Sequence, residues 1–269
     1  MSDSERFVFD DQGTGEPVLF IHGHPFDRTM WAPQIDALRD QYRAIAPDLR
    51  GYGLSKAAPR QSVTQEQFAD DLIGLLDRLE IDRACVVGLS MGGQIAMEFG
   101  RRFPARVAGL VLAATFPQAE TPDGVAARNL MADRVVAEGM ALTGCDMLPR
   151  LIGASSMKRS PDVAANVYRM ICGTNPVAAA GALRGRAMRQ DYRESLPAFA
   201  FPCLIVIGAE DSYSSIAEAE AMRDAIQDSR LEIFPEIGHL PNLEDAEKFN
   251  RVLREFLDRI FANSPNAPR

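Results

Sequence analysis

Short runs of β-branched and other apolar residues alternate along this chain with longer stretches of helical period, and this alternation restricts the fold more than any other feature. The runs are Arg6–Asp10, Pro17–Ile21, Tyr42–Ala46, Ala84–Val87, Val107–Ala113, Cys203–Ile207 and Leu231–Phe234. Strands this apolar are covered on both faces, as in a parallel sheet, and parallel neighbours need helical crossovers. The helices expected are Trp31–Arg39, Glu66–Leu79, Met91–Phe103 and Ile216–Ala225, with Asn242–Phe261 closing the chain. Thr64 and Gln67 have the spacing of a capping box. Phe68, Leu72, Leu75, Leu76 and Leu79 follow as a core stripe. The fold class is therefore α/β, with a mostly parallel, doubly wound sheet.

One segment breaks the alternation. Residues 116–196 contain no convincing strand and several helical stretches, and are read as a helical cap inserted into a core made of residues 1–115 and 197–262. Residues 263–269 read as a flexible tail. The insertion holds Met131, Met140, Met147, Met157, Met170 and Met188, adaptable side chains that suit a lid over an apolar pocket.

Composition narrows the function. The net charge of −8 argues against a general attraction to nucleic acid or to anionic membranes. No apolar stretch approaches the roughly 18 residues of a membrane span. The first residues carry an early acid and no apolar core, so no secretory signal is expected and the chain is placed in the cytoplasm. The 4 cysteines are far apart, and Cys85 and Cys203 lie in apolar runs as buried thiols. With no Walker sequence, no G-x-G-x-x-G and no metal-ligand spacing, neither cofactor nor metal is expected.

The chemistry-bearing segment is Ala84–Gly93. It sets Gly88-Leu89-Ser90-Met91-Gly92 directly between an apolar strand and a helix, the context in which Gly-x-Ser-x-Gly holds a nucleophile. So tight a turn forces strained backbone angles on Ser90, and side chains at positions 88 and 92 would collide across it. In return the hydroxyl stands at a helix N-terminus, which favours developing negative charge. Gly53-Leu54-Ser55 repeats half the pattern, but Lys56 and Ala57 follow and no strand leads in, so Ser55 is read as a loop residue. Ser155 and Lys158 fit S-x-x-K without the S-D-N and K-T-G elements of a β-lactamase.

A serine nucleophile needs a base, usually histidine at neutral pH. Of the 3 histidines, His22 and His24 follow the second strand, while His239 sits beside Gly238 on the loop after the last. His239 is the expected base. The acid is expected at another strand end, at Asp211, with Glu210 as the alternative. The order Ser90, Asp211, His239 is that of an α/β-hydrolase triad.

From Arg6 to Phe261 the sequence resembles the α/β-hydrolases. His22-Gly23, Asp48–Ser55, the Ser90 elbow, Gly208 with Asp211, and Gly238-His239 occur in the family's order. The resemblance implies an oxyanion hole made by the backbone N–H groups of His24 and Met91; Pro25 has no N–H to offer. It implies that Asp48–Ser55 is a structural turn; the His24 imidazole is read as pocket wall, with a direct part in gating or binding substrate as the other reading. The opening His22-Gly23, Pro25, Asp27-Arg28, Met30-Trp31 is similar to that of small carboxylesterases, with Trp31 an expected substrate contact. The elbow, with Asn175-Pro176, Ala178–Ala182 and Arg184, resembles 3-oxoadipate enol-lactonases, with Arg184 as the corresponding contact. Haloalkane dehalogenases and epoxide hydrolases place Asp where Ser90 stands, and carbon–carbon hydrolases usually show Gly-Asn-Ser where this chain has Leu89.

The expected function is a serine hydrolase of small-molecule carboxylic esters or lactones, acting through an acyl-enzyme on Ser90. An enol-lactonase-like lactone hydrolase is the alternative. A slow or non-catalytic ligand receptor on the same fold is the alternative from another class, and a perhydrolase side activity stays open. Oligomeric state and natural substrate are not specified. Residues 117–196 carry ten Lys/Arg and eight Asp/Glu, so the insertion is about +2 in an acidic chain. Arg184, Arg186 and Arg189 at its end are read as solvated surface charges, with a substrate carboxylate as the other reading.

Overall fold

The structure is a computed structural model that describes residues 7–56 and 60–262. Arg6, Ala57 and the tail at 263–269 lie outside the described residues. Seven strands form one sheet: β1 (Phe9–Gln12), β2 (Glu16–Ile21), β3 (Tyr42–Pro47), β4 (Ala84–Leu89), β5 (Val107–Ala113), β6 (Cys203–Gly208) and β7 (Ser229–Phe234), in the order β1-β3-β2-β4-β5-β6-β7. β1 runs antiparallel to β3 and every other pairing is parallel. Each expected strand is present. β1 lies further along than Arg6–Asp10 because Asp11 and Gln12 still pair with Ile45 and Ala44, and an edge strand accepts polar residues.

Alternate strand residues feed two cores, as a covered sheet requires. Val18, Phe20, Cys85 and Val87 pack with α1 (Ala32–Leu38) and the C-terminal helix on one face. Leu19, Ile21, Ala84 and Val86 pack with α2 (Gln65–Arg78), α3 (Met91–Arg102) and, further along the chain, Ile216–Ala225 on the other. The capping box at Thr64 forms with both its bonds, Gln67 N to Thr64 Oγ1 at 3.4 Å and Thr64 N to Gln67 Oε1 at 3.1 Å.

Between β5 and β6 the chain forms only helices: α4 (Pro122–Glu138), α5 (Met140–Leu151), α6 (Ala154–Arg159), α7 (Pro161–Gly173), α8 (Pro176–Ala187) and a short 3₁₀ turn, Leu196–Ala198. α9 (Ile216–Ala225) then links β6 to β7. The expected closing helix, Asn242–Phe261, is in fact two: α10 (Pro241–Glu244) and α11 (Ala246–Phe261). Asp245 breaks them apart because its carboxylate caps α11 at Lys248 N, 3.1 Å away. No described helix is long and apolar enough to cross a membrane. All four cysteines are free, Cys85 and Cys203 buried, Cys145 and Cys172 exposed.

Candidate active site

β4 runs straight into α3, and Ser90 is the hinge between them, at φ +57° and ψ −114°. That strained conformation persists because the surroundings over-determine it. Ser90 N–H donates to Ala113 O at 2.9 Å, and its own carbonyl accepts from Thr115 Oγ1 at 2.9 Å and Gln94 N at 3.1 Å. Both flanking glycines are required. A Cβ on Gly88 would stand 2.2 Å from Gly92 O, across the turn. A Cβ on Gly92 would stand 2.1 Å from Ile21 O, so its obstacle is the end of β2 rather than the turn itself.

The backbone N–H groups of His24 and Met91 donate no hydrogen bond among the described residues, leaving both for a ligand. His22 is structural. Its Nδ1–H donates to Gly23 O at 2.8 Å and its Nε2 accepts from Leu49 N at 3.0 Å, which fixes a neutral tautomer in a fully buried position. Burial lowers its pKa, consistent with that neutral ring.

Asp211 and His239 meet. His239 Nδ1 is 2.9 Å from both carboxylate oxygens of Asp211, whose side chain is fully buried. Ser214 Oγ donates to Asp211 Oδ2 at 2.5 Å and Tyr213 N to Oδ1 at 2.8 Å. Burial alone would raise the Asp211 pKa; the charge and hydrogen bond of His239, with those from Ser214 and Tyr213, outweigh it, and the net shift is downward. Glu210, the alternative acid, turns away to Ser155, accepting from its N at 3.0 Å and its Oγ at 2.6 Å. It ties α6 to the β6 end.

Ser90 and His239 line one cavity of about 360 Å³, but no hydrogen bond joins the hydroxyl to the imidazole among the described residues. Such bonds are often loose without substrate and tighten on binding. Tyr213 packs on the imidazole at 4.9 Å between ring centres, and Arg150 lies 4.6 Å over the Tyr213 ring. Among the described residues no cluster of three His, Cys, Asp or Glu stands close enough to hold a metal.

The two residues expected to touch substrate lie elsewhere. Trp31 is fully buried between Phe20 and Phe249 in the core. Arg184 pairs with Asp133 of α4 at 2.5 Å and does not line the cavity. The reading of Arg184, Arg186 and Arg189 as solvated charges is corrected for two of the three: Arg186 and Arg189 are only 8 % and 4 % exposed. Arg189 shares Glu120 with Arg128, and Arg186 lines the cavity. Sequence reasoning also missed Glu244, whose buried carboxylate accepts from Gly153 N, Gly238 N and Leu240 N, each at 2.9 Å, clamping the His239 loop to the helical segment. Asp48 is a structural turn residue as expected, fully buried and accepting from Arg28 N and Leu54 N.

Residues 16–246 match the family defined by the alpha/beta hydrolase fold. The chain belongs to the α/β-hydrolase family. This α/β-hydrolase is 30 % identical over 243 residues to 3-oxoadipate enol-lactonase 1 of Acinetobacter baylyi, covering 90 % of this chain and 89 % of that one. It superposes on a thermophilic esterase from Thermogutta terrifontis with a TM-score of 0.92 and 39 % identity, over 94 % of this chain and 93 % of that one. The enol-lactonase from Burkholderia xenovorans gives 0.87 and 29 %, over 93 % and 96 %. A putative non-heme chloroperoxidase of Synechocystis is 29 % identical over 266 residues, 93 % of this chain and 94 % of that one.

Proposed function

We propose that this α/β-hydrolase cleaves carboxylic esters or lactones of small molecules through an acyl-enzyme on Ser90. One observation carries the reading: His239, bonded to the buried Asp211, borders the same cavity as a serine held at positive φ on a strand-to-helix elbow. His239 gives its Nδ1–H to Asp211, which leaves Nε2 to take the Ser90 proton as Oγ attacks the carbonyl carbon. Asp211 stabilises the imidazolium that results. The negative charge moving onto the carbonyl oxygen is met by the N–H groups of His24 and Met91, each such donor worth about 2.7–4 kcal/mol. His239 then protonates the departing alkoxide. In the second half, water loses its proton to His239 and attacks the acyl carbon; the acid is released and Ser90 recovers its proton.

Helices α4–α8 act as a cap, residues 116–196, over a core of residues 1–115 and 197–262. Leu130, Met131 and Met147 from the helices share the cavity with Ser90 and His239 from the sheet loops, and such a partly apolar enclosure suits a small ester or lactone. The test is turnover of p-nitrophenyl acetate. The native chain is expected to show many turnovers, and Ser90→Ala to lose at least about 10³-fold in kcat/KM while melting normally. A single burst in the native chain would support a ligand receptor instead. Undiminished turnover in folded Ser90→Ala would overturn the nucleophile.

A further inference from the structure

Positive charge in the catalytic cavity lacks its partners. Arg128, Arg134, Arg150 and Arg186 line it, with Asp146 as the only carboxylate among the described lining residues. Three of these cations are accounted for. Arg134 pairs with Glu138 and Asp146 at the exposed rim, at 2.9 and 3.2 Å. Arg150 lies over Tyr213. Arg128 bonds Glu120, which also serves the buried Arg189. Arg186 is different: its Nε donates to the neutral amide oxygen of Gln94 at 3.2 Å, and it forms no ion pair among the described residues. Arg128 and Arg189 thus share the carboxylate of Glu120, and Arg186 beside them pairs with none among the described residues. An arginine keeps its proton in a protein, and a buried unpaired charge is expensive to maintain.

His24 adds a second donor without an acceptor. Its Nδ1 lies 2.7 Å from Tyr52 Oη, and its Nε2 is buried with no partner. Tyr52 is fully buried and His24 Nδ1 is the hydrogen-bond partner of its hydroxyl among the described residues. The phenol proton therefore goes to Nδ1, which leaves the ring's own proton on Nε2. Burial first, and then the charges of Arg186 and Arg128, push the His24 pKa well down, so the ring stays neutral. A guanidinium bonded only to a neutral amide and an imidazole N–H without an acceptor, both over nine-tenths buried, stand in one cavity with no carboxylate of their own.

We propose that Arg186 and the Nε2–H of His24 form a carboxylate-binding subsite, so that the preferred substrate is an ester or lactone bearing a free carboxylate. The planar fork suits a planar, two-oxygen anion. Arg128 and Arg189 add positive field behind it, and Gln94, one turn along α3 from Ser90, fixes the distance between subsite and nucleophile. The inference rests on the hydrolase reading, and its test keeps the two apart.

Two matched pairs of esters place the carboxylate on either side of the scissile bond: monomethyl adipate against methyl hexanoate, and the butyric ester of glycolate against propyl butyrate. The native protein is expected to prefer the anionic member of at least one pair. In Arg186→Gln the ratio of kcat/KM, anionic over neutral, should fall about 10- to 100-fold, the usual worth of a charge-assisted hydrogen bond. Arg186→Lys, which keeps the charge but not the fork, should fall between. Binding is read separately in Ser90→Ala, where monomethyl adipate should raise the melting temperature, and in Ser90→Ala/Arg186→Gln, where it should not. A poorly folded Arg186→Gln leaves the Lys variant and the native ligand shift to decide. No anionic preference in the native protein, or a ratio unchanged in both Arg186 variants, overturns the subsite whatever Ser90→Ala does. Full turnover in folded Ser90→Ala overturns only the serine mechanism.

Discussion

Glu244 gives the sharpest test of how His239, the proposed base, is held. Its carboxylate is 6 % exposed and accepts three backbone N–H groups, from Gly153 in the helical segment and from Gly238 and Leu240 on either side of His239. His239 N–H adds a fourth tie, to Leu151 O at 2.9 Å. Glu244→Ala strands three buried donors, each costing about 1–3 kcal/mol. Water admitted by the smaller side chain recovers part of this, so a net loss of about 3–5 kcal/mol is expected, comparable to removing one partner of a buried pair. For a chain of this size that lowers Tm by roughly 6–20 °C. Glu244→Gln can keep a carbonyl oxygen for Gly153 and Gly238 while its amide faces Leu240 N–H, so it should lose less than half as much. In the folded variants kcat should fall more than KM rises, because the loop that slackens carries His239, the proposed base, while most of the cavity wall comes from the helices between β5 and β6. The assay is thermal unfolding beside steady-state kinetics on one ester. A Glu244→Ala protein within about 2 °C of the native Tm, under ~1 kcal/mol, would refute the clamp.

Asp211→Asn should fold but lower kcat by about 10³–10⁴-fold, because an amide N–H facing His239 Nδ1 selects the wrong tautomer; an ordinary kcat in that variant would remove Asp211 from the mechanism. Glu120→Gln tests the buried arginine pair through acid. Burial pushes the Glu120 pKa up, but its bonds to Arg189 and Arg128 outweigh this and the net shift is down. Its stabilisation is therefore complete above the ordinary glutamate value of about 4.3 and disappears as pH falls through the lowered value. The urea midpoint of Glu120→Gln should lie well below the native one at pH 7, and the gap should close below about pH 4; a gap independent of pH would contradict the pairing.

The strands were legible because β2, β4, β5 and β6 are buried on both faces and so read as unbroken apolar runs. The outer strands were less so. β7 begins at Ser229 and Arg230, whose backbones pair with Cys203 and Leu204 while their side chains carry no apolar signal. The break at Asp245 was hidden for a related reason: helical period runs through it, and Asp245 caps α11 where Glu244 turns back to the His239 loop, a contact no local pattern encodes. Ser90, by contrast, announces itself through covalent geometry. Positive φ and two glycines without room for a Cβ are local demands, and they leave a local mark.

Charge leaves no such mark. The surplus of arginine at the end of the helical segment was visible, yet which arginine faces the cavity was not. Residues two apart on a helix point about 200° away from each other, so of Arg184 and Arg186 only one can turn inward. A polar face would normally settle which. α8 has none: apart from Arg184 and Arg186 it is built of Pro, Val, Ala, Gly and Leu, so no polar stripe orients it. What chooses Arg186 is the neighbour it meets, Gln94 on α3, while Arg184 finds Asp133 on α4. Both partners are set by the packing of helices distant in sequence, so the cavity's electrostatics become readable only after α3, α4 and α8 have been brought together.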